Sequence, residues 1–241
     1  MNLQSDNNPT YHGIDELFAI EKGMPKYSQD IVNRIIASTI PSNLRFVCEF
    51  GAGTGFLSQI FESKTGVKPH CVEIDSTLIC ILGERGFNVT NSLRDAGQKF
   101  DLIFSANVLE HIPDHLSSMK QMYESLNIGG QIAIFVPAFP MLFSDMDRKV
   151  GHVRRYRKND LKKLCNDAEF QIELVFYTDP IGFFGNLLVR ILGWRRGFMN
   201  LGGEKSTLFY ENYVLMFSKL LEKFGTRYFL GKNLILIGRK V

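Results

Sequence analysis

Glu49-Phe50-Gly51-Ala52-Gly53-Thr54-Gly55 separates an apolar run, residues 46–50, from a stretch with helical spacing, residues 56–64. Strand, glycine loop and helix in that order leave bare backbone at the carboxyl end of a strand, where a ligand can approach without a Cβ in its way. The next apolar run, residues 70–74, closes on Val72-Glu73-Ile74-Asp75. An acid at that point is placed to accept hydrogen bonds from both hydroxyls of a ribose. The two segments together predict a nucleoside-bearing cofactor across the carboxyl ends of the first two strands. The glycine spacing narrows its chemistry. A dinucleotide fingerprint is GxGxxG, because a pyrophosphate must sit on the helix N-terminus. Here the third glycine comes one residue early, and no Gly-Lys-Ser/Thr ending makes a phosphate loop. GxGxG with an acid two residues ahead suits a cofactor with a ribose and an amino-acid tail but no phosphate.

Outward from the loop, short apolar runs (87–90, 102–105, 131–136) alternate with amphipathic stretches beginning at Ser76 and after Pro113. Strand and helix alternating at this spacing predict a doubly wound α/β domain, a parallel sheet covered on both faces. Residues 1–13 read as a tail, and residues 14–22 and 27–40 as two cap helices with Gly23 and Pro25 between them. After Pro137 the alternation breaks. A helix is expected from Asn159 or Asp160, either able to cap it, to about Ala168, and two more strands at 172–177 and 233–238. Between those strands, residues 180–230 are too rich in Phe and Leu for a solvated loop and predict a helical insertion.

The chain has 241 residues, enough for one large domain, with 45% hydrophobic and 22% charged residues, which excludes disorder. A net charge of +3 is too mild to predict nucleic acid as a partner. Cys48, Cys71, Cys80 and Cys165 form no CxxC pair, so zinc is not expected and a reducing, cytoplasmic location is. The polar N-terminus does not have the pattern of a signal peptide. The longest apolar stretch, 180–194, is short and contains Arg190, so it is not expected to span a bilayer.

Four stretches in order, EFGAGTG, VEID, FDLIFSANVLEHIPD (100–114) and GGQIAIFVP (129–137), resemble the class I S-adenosylmethionine-dependent methyltransferases over about residues 46–136. The LEHI stretch is similar to the small-molecule branch that includes ubiquinone-biosynthesis O-methyltransferases. Residues 143–156, ending GHVRRY, resemble a subgroup associated with bacterial polysaccharide and glycolipid gene neighbourhoods. The resemblance implies a Rossmann-like, mostly parallel sheet of about seven strands with the last antiparallel, residues 1–40 forming a tail and cap and residues 41–241 the methyltransferase domain. It implies S-adenosylmethionine as cofactor and S-adenosylhomocysteine as product. Gly51, Ala52, Gly53 and Gly55 would pass the methionine tail and Glu49 would orient its amine. Glu73, with Ile74, would hold the ribose, Ser92 and Leu93 would flank the adenine, and Asn107 would face the cofactor. Asn91 stands where the family commonly has Asp. Asp75 is read as the cap of the helix from Ser76.

Methyl transfer needs a nucleophile held near the methyl carbon and a group that removes its proton. His111 is the candidate general base, with loop packing as the alternative. Arg148–Lys158 concentrates polar chemistry: His152 as a second catalytic candidate, with Arg154, Arg155 and Tyr156 on the substrate side, or a solvated ramp into the next helix. Asp145 and Asp147 beside His152 are not expected to hold a metal. Phe183, Phe184, Leu187, Leu188, Ile191, Leu192 and Trp194, flanked by Arg190, Arg195 and Arg196, read as a packed cap helix or as an interfacial helix giving peripheral membrane contact through 180–196.

The expected function is methyl transfer to a small molecule, O-methylation favoured, with a sugar, lipid or lipid-linked glycan as acceptor. A nicotinamide-dependent oxidoreductase and a non-catalytic S-adenosylmethionine-binding module are the alternatives. Nucleic-acid methyltransferases are disfavoured: Ser105-Ala106-Asn107-Val108 replaces their Asn/Asp-Pro-Pro-aromatic motif, and no cysteine follows a proline. The sequence does not indicate an oligomeric state.

Overall fold

A computed structural model describes residues 13–39, 44–191 and 204–241. The glycine loop joins β1 (Val47–Phe50) to α3 (Phe56–Thr65), and β2 (His70–Val72), α4 (Ser76–Glu84), β3 (Val89–Thr90) and β4 (Phe100–Ala106) follow. Ahead of them lie α1 (Ile14–Gly23) and α2 (Pro25–Ser38). After them come α5 (His115–Ser125), β5 (Leu126–Pro137), α6 (Asp145–Lys149), α7 (Lys158–Asp167) and β6 (Gln171–Thr178). The chain then runs through α8 (Pro180–Ile191) and α9 (Glu204–Phe209), which continues by a wider π turn, Tyr210–Val214, into α10 (Leu215–Lys223), and closes with β7 (Asn233–Arg239).

The strands form one sheet in the order β3-β2-β1-β4-β5-β7-β6. The first five are parallel, and β7 runs antiparallel to both its neighbours. Alternation along the strands divides the core. Leu102, Phe104, Ala133 and Phe135 meet Ile31 and Ile35 of α2 and Phe61 of α3 on one face, while Ile103, Ile132 and Ile134 meet Met119 of α5 and Leu161 of α7 on the other. The expected Rossmann-like, mostly parallel architecture is the one observed. Strand order reverses between β1 and β4, and a doubly wound sheet binds its ligands outside the carboxyl ends at such a point.

Several boundaries differ from expectation: α2 begins at Pro25 rather than 27, β5 at Leu126 rather than 131, and two further differences have a local cause. β2 stops at Val72 because Glu73 Oε1 accepts from the Ile74 and Asp75 amides, ending the ladder. α7 begins at Lys158 with Arg157 before it and no side-chain cap, so Asn159 and Asp160 lie in its first turn. Asp75 does cap α4, accepting from the Thr77 and Leu78 amides. Residues 1–12 of the expected tail, Ile40, Leu192, Trp194, Arg195 and Arg196 lie outside the described residues. Among the described residues, no helix is long and apolar enough to cross a membrane.

Candidate active site

A cleft of about 760 Å³ opens over the carboxyl ends of β1 and β4. One wall is the glycine loop. The Gly51 and Ala52 amides both donate to the Val72 carbonyl, which fastens the loop to the end of β2. Gly51 has φ +73°, and a Cβ there would stand 2.5 Å from the Val108 side chain, so this position accepts only glycine. Gly55, φ +78°, faces Leu82 at 2.6 Å in the same sense but does not line the cleft. Glu73 Oε2 accepts the Gly53 amide at 2.8 Å, so its carboxylate holds the loop and retains acceptor capacity for a hydroxyl. Glu49 is buried, accepts from the Ser58 hydroxyl at 2.5 Å, and burial raises its pKa to about 8. Ile74, exposed, and Ser92 complete this end; Ser92 Oγ donates to Asp95. Leu93, expected beside the adenine, instead turns its side chain into the core.

The opposite end is built from loops after β4 and β5. Asn107 takes φ +56°, a left-handed conformation asparagine tolerates, and its amide is held by the Phe135 carbonyl. The turn that follows presents His111, whose ring stands edge-on to that of His152 with centroids 4.7 Å apart. Burial and the neighbouring His152 lower the His111 pKa to about 4, so the imidazole is neutral with a lone pair. His152 Nδ1 lies 2.8 Å from Asp147 Oδ1. Asp147 also receives a two-pronged contact from Arg155, at 2.8 and 3.0 Å. Burial alone would raise the Asp147 pKa, but these partners hold it well below the carboxylate range. Glu110 is fully buried, burial raises its pKa to about 8, and neither carboxylate oxygen has a hydrogen-bond partner on another residue.

A family model described as a methyltransferase domain matches residues 20–175. The chain belongs to this methyltransferase family. No curated protein matches it. Among solved structures, a SAM-dependent methyltransferase from Archaeoglobus fulgidus shares 16% identity and covers 94% of this chain and 99% of its own, with a TM-score of 0.61. Phosphoethanolamine N-methyltransferase 2 from Haemonchus contortus, in complex with phosphomonomethylethanolamine and S-adenosylhomocysteine, shares 14% and covers 96% of this chain and 60% of its own, at 0.60. Magnesium protoporphyrin IX methyltransferase from Synechocystis, with bound S-adenosylhomocysteine, shares 13% and covers 100% and 90%, at 0.56. These similarities establish the fold. The family makes the chain an enzyme whose cofactor is S-adenosylmethionine, in place of the nicotinamide and non-catalytic alternatives. The residues present fit that cofactor: side-chain-free backbone at Gly51 and Gly53 lining the cleft, and the Glu73 carboxylate at the end of β2 with acceptor capacity for a ribose hydroxyl.

The methyltransferase cleft brings together Glu49, Gly51, Ala52, Gly53, Glu73, Ile74, Ser92, Asn107, His111, His152 and Arg155. Arg154 and Tyr156 fall outside it. Arg154 donates to the Pro113 carbonyl, and Tyr156 is buried, donating to the Leu109 carbonyl and meeting His115 Nδ1 at 2.8 Å, so both knit the loops rather than face an acceptor. Asp145 pairs with Arg148, away from the Asp147–His152 contact. Sequence reasoning missed Leu17 and Tyr27, which α1 and α2 place against the cleft, and Lys232 and Asn233 at the start of β7. It also quoted Glu110 within LEHI without giving it a role; burial without a partner is a property that adjacency to His111 does not reveal.

Proposed function

We propose that this methyltransferase transfers a methyl group to a hydroxyl of a small lipid or lipid-linked sugar. S-adenosylmethionine supplies the methyl on a sulfonium, an activated leaving group. In this reading residues 49–54 carry the methionine tail, Glu49 faces its ammonium, Glu73 the ribose, and Ile74 and Ser92 the adenine side. α1 and α2 form the cap whose Leu17 and Tyr27 close the cleft. His111 receives the hydroxyl proton, and the observation that carries this role is its neutral imidazole in the cleft beside His152. Asp147, itself gripped by Arg155, orients His152.

The lipid part rests on the helices before β7, whose polarity is inverted. Glu211, Ser218 and Glu222 face inward, where Glu211 accepts the Lys26 and Tyr27 amides and Glu222 binds Arg34 and the Asp179 amide. Phe209, Tyr213, Met216, Phe217, Leu220 and Phe224 face outward, and α8, packed on α10, adds Phe184, Leu188 and Ile191. Between residues 206 and 226 both acids are buried, while Lys223 is exposed and Lys219 pairs with Asp30 at 2.8 Å, so the charge left beside this apolar stripe is that of Lys223. An apolar stripe flanked by an exposed lysine suits an anionic lipid surface.

The test is release of S-adenosylhomocysteine with hydroxylated lipid acceptors. His111→Ala is expected to lower kcat about 100- to 10,000-fold with S-adenosylhomocysteine affinity unchanged. Wild-type turnover removes His111 as the base. Sedimentation with phosphatidylglycerol-containing vesicles is expected to carry the wild type down and leave Phe217→Glu/Leu220→Glu in solution; equal partition of both removes the membrane contact.

A further inference from the structure

We infer that Glu110, His111 and His152 form a binding site for a divalent transition-metal cation at the acceptor end of the cleft, with Zn2+ the ion that fits best. One ligand atom from each of the three comes within 4.8 Å of the others, and His152 Nε2 lies 3.8 Å from Glu110 Oε1. Ligand atoms around a tetrahedral zinc at about 2.0–2.1 Å stand roughly 3.4 Å apart, so modest side-chain movement closes the set.

Three observations point to a cation. Glu110 carries a carboxylate with no exposure and no hydrogen bond from any other residue on either oxygen, although its own backbone carbonyl is tied to the Val153 amide. A buried carboxyl left this way needs a proton or a cation. His152 uses Nδ1 on Asp147, and Arg155 locks that carboxylate in turn, so Nε2 is the nitrogen turned toward Glu110. A carboxylate behind an imidazole is the usual support of a metal-ligating histidine. His111 is hydrogen-bonded to the Gly151 backbone, which fixes that ring as well. Two imidazoles and one carboxylate select zinc or a similar borderline ion over Mg2+, which prefers oxygen.

His111 and His152 line the cleft and Glu110 lies behind them, so the remaining coordination position faces the acceptor. It would take an oxygen donor, which fits a hydroxylated acceptor. This part rests on the proposed O-methyl transfer. With the ion bound, His111 would serve as a ligand, and the cation would make the hydroxyl acidic enough to lose its proton to solvent water in the cleft rather than to a free imidazole.

The experiment uses the full chain treated with EDTA and desalted, titrated separately with ZnCl2, MnCl2 and MgCl2 by calorimetry. Expected is one Zn2+ per chain, bound at least 100-fold more tightly than Mg2+, with Glu110→Gln and His152→Ala each weakening zinc by 100-fold or more. S-adenosylhomocysteine is to raise the Tm of the same samples alike. Absence of stoichiometric zinc binding, or wild-type zinc affinity in Glu110→Gln, overturns the site. Should a variant not fold, Co2+ added to the wild type serves instead: a visible spectrum unlike that of the hydrated ion, displaced by zinc, supports the site, and the hydrated-ion spectrum overturns it. If zinc does not bind and turnover is indifferent to EDTA, the cation fails and methyl transfer stands with His111 as base. If zinc binds and no hydroxyl acceptor is methylated, the O-methyl reading fails and the cation stands.

Discussion

The two ends of the cleft each bury a glutamate, and the two are held differently. Glu49 at the cofactor end has a hydroxyl partner, Ser58, nine residues along the chain on the first helix after the loop. Glu110 at the other end has none on another residue, and His152, whose Nε2 stands 3.8 Å from it, is 42 residues away on another loop. The glycine-loop end is built from the loop backbone and the carboxylates of Glu49 and Glu73, all within residues 49–75, with Ser92 beside them. The acceptor end is built of side chains from the loops after β4 and β5 and the start of β7, brought together only when the sheet closes. Local sequence therefore specifies one end, and assembly specifies the other.

The sharpest way to separate the ends is to remove Arg155. Asp147 would be left buried without its main partner, and Arg155→Ala is expected to lower stability by about 3–5 kcal/mol in urea unfolding. If the ends are independent, the folded fraction should still bind S-adenosylhomocysteine normally; weakened binding would show that the acceptor loops also shape the cofactor end. Gly51→Ala probes the other end. A left-handed φ and the clash with Val108 together should cost roughly 2–4 kcal/mol, measured by the same unfolding and accompanied by loss of S-adenosylhomocysteine binding. Glu73→Ala should weaken cofactor affinity by about 1–3 kcal/mol by calorimetry, through the lost acceptor and the released Gly53 amide. Unchanged affinity would remove Glu73 from the cofactor site.

The smallest effect is one of pH. Glu49 and Glu110 have folded-state values near 8, above the ordinary 4.5, so the native chain binds more protons than the unfolded one between those values. Their contribution is complete below about pH 4.5 and is lost as pH rises to 8. His111, lowered from 6.5 to about 4, acts oppositely: its contribution is complete above about 6.5 and is lost as pH falls toward 4. Above pH 6.5 the His111 contribution is complete, so from 6.5 to 8 the two glutamates should make the Tm of the ligand-free protein fall, at no more than about 1.4 kcal/mol per pH unit for each group. Glu110→Gln should remove one share and leave that of Glu49; an unchanged slope would mean that Glu110 is not protonated in the native protein.

The glycine loop, the acid closing β2, the alternation of strands and helices and the helical segment before the last strand were all legible in the sequence. Each is a short-range pattern: a φ only glycine adopts cheaply, a period of two or 3.6, a cap two residues before its amide. His111 and His152 were legible as titratable groups. That they stand ring against ring over an unpartnered glutamate was not, because 41 residues and a strand of the sheet separate them. The same holds for Tyr156, Arg154 and Leu93, whose residue types suit a ligand but whose side chains the tertiary packing spends on neighbouring carbonyls and the core. The sequence by itself determined the fold and the glycine-loop end of the cleft, since both depend on backbone geometry set by adjacent residues. Burial, hydrogen-bond satisfaction and the direction of each side chain depend on residues far apart in the chain, and these, decided only by the folded structure, make the acceptor end.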